Sequence, residues 1–407
     1  MASPRTLTFV VLMFVVGLNL RPALSSVAPL LTRLQETAGL SAAAAGLLTT
    51  LPVLFLGLAA PLAPLLARRL GSERALSAAL SLLGLALLFR PLPLPGALFI
   101  ATALAGAAIG VGGTLLPGLV KRELPQSADL VTGLYTMALC FGGALGAGFS
   151  VPLANAFGSW QASLASWGLL AFGALALWVF AAPKPAASAR VETGGTSLAA
   201  LLRQPLTWQV MLYMGIQSSM AYIVFGWLPS LLIYRGYGES EAGFVMAVSI
   251  ICQLGSALGA PWLARLGRDQ RPALFTMLSL TALGLYLLMI APLGWRWLGA
   301  MFLGLGQGGC FSLALGLLVL RSANAGLAGK LSGLVQGGGY SIAALGPFSV
   351  GLLLQFGARI DYIAWLLLIL IGVCFVFAHL AGRNRQLDDA SGTLCVISCD
   401  DTPKDTP

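Results

Sequence analysis

"LARRLGSER", residues 66–74, returns almost unchanged as "LARLGRDQR", residues 263–271. Each copy is a short basic phrase around a glycine, set between long apolar runs. Outward from the pair, a constant spacing of 196 residues matches Gly71 with Gly267, Gly110 with Gly306, Gly112 with Gly308 and Gly113 with Gly309. The same spacing matches Gly133 with Gly329, Gly142 with Gly338 and Gly143 with Gly339. One spacing held over so much chain is the mark of an internal repeat. The chain therefore reads as two copies of one folded unit.

The solvent of that unit is lipid. The chain of 407 residues is 58% hydrophobic and 9% charged, with mean hydropathy +0.89. Soluble domains carry about 25% charged residues. A membrane helix needs about 20 mostly apolar residues. Twelve such runs are present, at roughly 6–31, 41–67, 75–91, 95–120, 128–156, 160–181, 207–234, 240–264, 272–292, 296–320, 328–356 and 361–381. They are too long for strands and lack the alternation of a membrane barrel. The first run is also too long for a cleavable leader and reads as a first membrane helix. The expected fold is an all-α polytopic membrane protein with twelve transmembrane helices in two six-helix bundles. The expected divisions are 1–181, a linker at 182–206 rich in Pro and Gly, 207–382, and a disordered polar tail at 383–407.

Lys and Arg orient the chain. Alternate connections hold Arg68, Arg69 and Arg74; Lys121 and Arg122; Lys184, Arg190 and Arg203; Arg265, Arg268 and Arg271; and Arg321 and Lys330. Arg5, Arg383, Arg385 and Lys404 fall on the same side, whereas the opposite loops hold only Arg33, Arg90, Arg235, Arg296 and Arg359. Both termini are thus expected in the cytoplasm of a bacterial inner-membrane protein. The net charge of +9 sits in these short loops and forms no basic face, which rules against a nucleic-acid partner.

One cation belongs to neither set. Arg21, in "GLNLRPALSSVAPLL" (17–31), falls near the middle of the first run. An ionised residue there costs about 3 kcal/mol on insertion scales, so it must face a cavity or a partner. Every Asp and Glu can be placed in a loop, at a helix end or in the tail, so no buried carboxylate is available to neutralise it. A guanidinium is a planar fork of donors suited to an anion. Arg21 is accordingly expected to bind a small anionic or strongly electronegative substrate. Against this stands a structural arginine bonded to carbonyls at a Pro22 kink, or one snorkelling to the surface. Asn19 lies two residues away, on another helix face unless Pro22 distorts the turn. Thr114, Gln217, Tyr222, Gln253, Gln307, Gln336 and Tyr340 are uncharged polar groups near the expected midplane. They can complete the site, or simply bond between helices. Trp227 and Phe311 can wall the cavity, or serve equally in aromatic packing.

Other chemistry finds little footing. Glycine runs such as "FGGALGAG" lack the Lys-Ser/Thr and preceding strand of a phosphate loop and read as close helix contacts. The six cysteines have no metal-ligand company, so neither metal nor cofactor is expected. The lone His379 lies at the end of the last run and offers no catalytic pair, which argues against an enzyme.

"NLRPALSSVAPLL", "LLPGLVKREL" and "AGKLSGLVQGGGY" together resemble the cyanate transporter family of the major facilitator superfamily, which includes nitroimidazole transporters. The similarity runs over most of 10–380. Its most specific element is Asn-x-Arg-Pro, here Asn19, Arg21 and Pro22. The superfamily's loop motif survives in Gly71 and Arg74, but Pro64 stands where glycine is usual and Arg68 where aspartate is usual. The resemblance implies a monomeric secondary or facilitative transporter of a small anion or polar nitrogenous compound, cyanate-like, working by alternating access. An exporter of neutral or cationic drugs such as nitroimidazoles is the alternative.

Overall fold

The computed structural model describes residues 4–92, 94, 96–124, 128–182, 197–389 and 394–398. Twelve helical spans among them are long and apolar enough to cross a membrane. Lipid offers backbone groups no partner, so each apolar run must close its hydrogen bonds within itself. The first bundle comprises α1 (Pro4–Asn19), α2 (Pro22–Ser25), α3 (Leu31–Ala38), α4 (Ala42–Ala59), α5 (Leu62–Leu70), α6 (Ser72–Phe89), α7 (Ala97–Glu123), α8 (Ala128–Phe157) and α9 (Trp160–Ala181). A short α10 (Leu198–Leu202) leads into the second bundle: α11 (Pro205–Tyr234), α12 (Glu239–Arg265), α13 (Arg271–Met289), α14 (Arg296–Leu320), α15 (Ala325–Gln355) and α16 (Ile360–Ala381). The first span is assembled from α1, α2, a 3₁₀ turn at Ala28–Leu30 and α3. Most of the expected linker, 183–196, lies outside the described residues.

The repeat is visible in the packing. Gly106 and Gly110 of α7 sit against the backbone of Pro52 and Leu56 on α4. Gly304 and Gly308 of α14 sit in the same way against Ser249 and Gln253 on α12. Glycines one helical turn apart let two backbones touch where any side chain would hold them off. The structural partner of Gly110 is therefore Gly308, two residues beyond the match that the constant sequence spacing gave. Gly306 faces Thr281 and Met277 on α13 instead. Register in glycine-rich helices is set by which face packs, and a string of glycines aligns with itself at several offsets.

The bundles meet along two seams, α4 against α15 and α8 against α12. At one end the seams are tight. A Cβ built on Gly46 would lie 2.9 Å from the Gly351 Cα, and one on Gly243 would lie 2.6 Å from the Ala147 carbonyl oxygen. The Ala43 amide donates to Gln355 Oε1 at 3.3 Å. Arg33 Nε donates to Glu239 Oε2 at 2.8 Å, joining α3 to the start of α12. Toward the opposite end the α8–α12 seam slackens: a Cβ on Gly133 would first meet Leu258 at 4.0 Å. The molecule is thus closed at the Arg33–Glu239 end and looser at the end carrying Arg68 and Arg265.

Both side chains of the Arg33–Glu239 pair are 29% exposed, and such a half-wet pair contributes up to about 1 kcal/mol. Arg33→Glu is expected to shift the population of the closed end by up to about fivefold. In an otherwise cysteine-free chain, thiol labelling at Thr49→Cys should accelerate accordingly. The exchanged pair Arg33→Glu with Glu239→Arg should return the rate toward its starting value.

The tail departs from expectation. Within the segment expected to be disordered, β1 (Arg385–Asp388) pairs antiparallel with β2 (Cys395–Ser398). Leu387 is fully buried. Its amide donates to the Arg321 carbonyl, and its carbonyl accepts from the Ala323 amide, both at 2.9 Å. Gln204 Nε2 donates to the Leu394 carbonyl at 2.9 Å. One apolar side chain and three edge hydrogen bonds suffice to dock a polar segment that composition alone marks as unfolded. Residues 390–393 and 399–407 of the tail lie outside the described residues.

Candidate functional site

Pro22 sets the geometry of the site. It has no amide hydrogen, so the Leu18 carbonyl one turn earlier loses its helical partner. The helix stops at Asn19 and resumes at Pro22 with Arg21 as its N-cap. The freed Leu18 carbonyl turns toward Gly142 of α8, where a built Cβ would lie 2.9 Å from its carbon and closer still to its oxygen. Gly146 receives Pro22 and Ser25 in the same groove, with a built Cβ 3.0 Å from the Pro22 Cα. The glycine run "FGGALGAG" is the bed in which the broken helix lies.

This break presents Arg21 to the seam between bundles. Its Cβ is 3.4 Å from where a Gly143 Cβ would stand, and Ile250 of α12 is equally close to that point. The guanidinium carbon lies 5.2 Å from the centre of the Phe225 ring on α11. A cation over an aromatic face gains about 0.5–2 kcal/mol. Arg21 makes no side-chain hydrogen bond or ion pair among the described residues. Every described Asp and Glu side chain lies at a helix end, in a loop or in the tail. Among the described residues its side chain makes no bond to a carbonyl at the Pro22 break.

Tyr222 and Tyr340 gather beside it. The Tyr222 ring is 6.4 Å from Phe225 and 6.2 Å from Tyr340. Tyr340 comes from α15 and packs on Gly57 of α4, so the cluster spans both bundles. Tyr222 and Phe225 also wall a small cavity with Ala23, Leu24, Thr49, Pro52 and Thr102, of about 10 Å³, room for about one water.

The other expected residues fare differently. Asn19 is buried and donates to the Val15 carbonyl at 2.8 Å, leaving Oδ1 unpartnered. Thr114 bonds back to the Gly110 carbonyl at 2.7 Å, Gln217 to Ser218 at 2.8 Å, and Gln336 to Ser332 at 2.7 Å. These three are satisfied on their own helices. Gln253 is buried where its backbone meets Gly308. Gln307 is buried with neither amide atom partnered, which is the state of a group awaiting a ligand or a water. Trp227, expected as a cavity wall, is fully buried and donates to the Pro347 carbonyl at 2.9 Å, a packing role within its own bundle. Phe311 is half-buried.

Sequence reasoning missed Arg90. Read as an outer-loop residue, it is 1% exposed and donates from Nη1 to the Ala23 carbonyl at 3.2 Å, while Nε and Nη2 have no partner. Burial holds its pKa down, to about 10. It braces α2 at Ala23, two residues from Arg21, and puts a second positive charge behind the break. The only signal was its place at the end of an apolar run before "PLPLPG", which a snorkelling arginine shares.

Residues 7–347 match the Major Facilitator Superfamily profile. The chain is 35% identical over 378 residues to the 2-nitroimidazole transporter of Escherichia coli (strain K12), covering 91% of this chain and 94% of that protein. It is 34% identical over 339 residues to the cyanate transport protein CynX of Escherichia coli (strain K12), covering 83% of this chain and 88% of that protein. Among solved structures the D-xylose–proton symporter is similar at TM-score 0.73 and 14% identity, covering 91% of this chain and 97% of that one.

Proposed function

The chain belongs to the Major Facilitator Superfamily, and from that premise we propose that it carries a small anion or an electronegative nitrogenous compound across the membrane by alternating access. It is a membrane transporter and not an enzyme. One observation supports the substrate class: the Arg21 guanidinium stands at the seam between bundles, over Phe225, without a counter-charge among the described residues. A lone cation in that place is neutralised by what it carries. Tyr222 and Tyr340 offer uncharged groups to orient the cargo, as hydroxyls orient an anion without fixing a rival charge. Rocking of the bundles about the site would turn it from one side to the other. By the Lys and Arg bias the closed Arg33–Glu239 end faces outward and the looser end faces the cytoplasm of a bacterial inner membrane, with both termini inside.

The relatives frame two cargoes. Cyanate is an anion, whereas 2-nitroimidazole is a neutral ring with electron-rich nitro oxygens, and both suit a guanidinium fork. Thermal-shift titration with cyanate and with 2-nitroimidazole, on wild type and Arg21→Ala, separates them. Stabilisation by cyanate that vanishes in Arg21→Ala is the expected result. Stabilisation by the nitro-heterocycle that survives in Arg21→Ala would favour the neutral-drug reading, and cyanate binding unchanged by the substitution would end the anion reading.

A further inference from the structure

Where the docked tail meets the loop between α12 and α13, a cavity of about 450 Å³ is lined by Arg268, Arg271, Arg383 and Arg385, with Asp269 as its one acid. Asp269 is already engaged: its carboxylate accepts from Arg271 Nε at 2.6 Å and from the Arg271 amide at 3.1 Å. Arg383 reaches away to Gln209 Oε1 at 3.3 Å and the Leu380 carbonyl at 3.1 Å. Arg268 and Arg385 make no side-chain hydrogen bond or ion pair among the described residues. Burial and the nearby charges of Arg385 and Arg271 lower the pKa of Arg383. Like charges brought together at a protein surface repel unless an anion lies between them. The fold nevertheless brings them together, because β1 carries Arg385 in from the tail and Ser398 follows on β2.

We propose that this cavity is a binding site for a ligand whose phosphoryl groups together carry two or more negative charges, distinct from the central site. Guanidinium forks match phosphate oxygens in pairs, and Ser398 adds an uncharged hydroxyl. The cavity lies at the end of α12, the start of α13 and just past the end of α16. These are span ends, at the depth of lipid headgroups, where basic pockets hold anionic lipid. A headgroup with two phosphates and a soluble phosphorylated molecule offer the same chemistry to these arginines. The tail supplies Arg385 and Ser398, so occupancy and tail docking stabilise each other.

The test uses the full chain and the double variant Arg268→Gln/Arg385→Gln, with the single variant Arg385→Lys as the charge-preserving control. In lipid-free detergent at fixed ionic strength, inorganic pyrophosphate is titrated by calorimetry. In nanodiscs, retention of cardiolipin over phosphatidylcholine is measured by native mass spectrometry. Wild type is expected to bind at least one of the two probes. The double variant is expected to lose at least tenfold in affinity, while Arg385→Lys loses less. Pyrophosphate binding alone assigns a soluble ligand, and cardiolipin retention that pyrophosphate displaces assigns the headgroup. Failure of wild type to bind either, equal binding by the double variant, or a sulfate response equal to that of pyrophosphate overturns the proposal. A double variant that elutes and melts like wild type guards against misfolding as the cause.

Discussion

Arg21→Ala is expected to abolish transport in proteoliposomes, a loss of about a hundredfold or more, with the protein inserted and folded. Removing one partner from a desolvated charge pair costs about 2–5 kcal/mol, and about 1.4 kcal/mol is a factor of ten. Arg21→Lys keeps the charge and loses the fork, so it should retain roughly a tenth of the activity. The stability prediction runs the other way. The substitution forfeits the contact with Phe225, whose ring centre is 5.2 Å away, but it also relieves an ionised group at membrane depth that costs about 3 kcal/mol. Melting temperature should therefore hold or rise while transport disappears. A structural arginine would show the opposite pattern, and wild-type flux from Arg21→Ala would remove Arg21 from the site altogether.

Gly142→Ala is expected to lower the melting temperature by several degrees and cut transport at least tenfold. The new methyl would sit 2.9 Å from the Leu18 carbonyl carbon. The obstacle is backbone, which cannot rotate aside, and overpacking of this kind costs about 1–3 kcal/mol. The strain falls on the break that orients Arg21, so function suffers along with stability. Gly118→Ala on α7 is the matched control. A Cβ there meets nothing within 4 Å, and alanine is the better helix former by about 1 kcal/mol. Equal behaviour of the two variants in melting and flux would refute the packing account of the break.

The spans were legible because lipid enforces them: twelve apolar runs gave twelve helical spans. Arg21 was legible for the same reason, since a charge inside such a run has few permitted surroundings. Packing was not legible. Nothing local marks Gln336 as spent on Ser332, Trp227 as bonded to Pro347, or Arg90 as buried behind α2. Each depends on which face of a uniformly apolar helix turns toward a neighbour, and amphipathic periodicity, the usual guide to that face, is weak when both lipid and core are oily. The tail departed for the opposite reason: its docking rests on Leu387 and a handful of hydrogen bonds, below the level at which composition speaks.

The Gly46–Gly351 crossing brings two backbones together with no side chain between them. Were the two backbones to part, the crossing itself would bare peptide rather than hydrocarbon, and hydrocarbon is what makes separation costly, at about 25 cal/mol per Å². Around it the balance is different: Leu30, Leu34 and Leu48 of the first bundle share one buried core with Trp227, Leu231 and Val245 of the second. The cost of parting this end therefore falls on those side chains, and the crossing itself adds almost nothing to it.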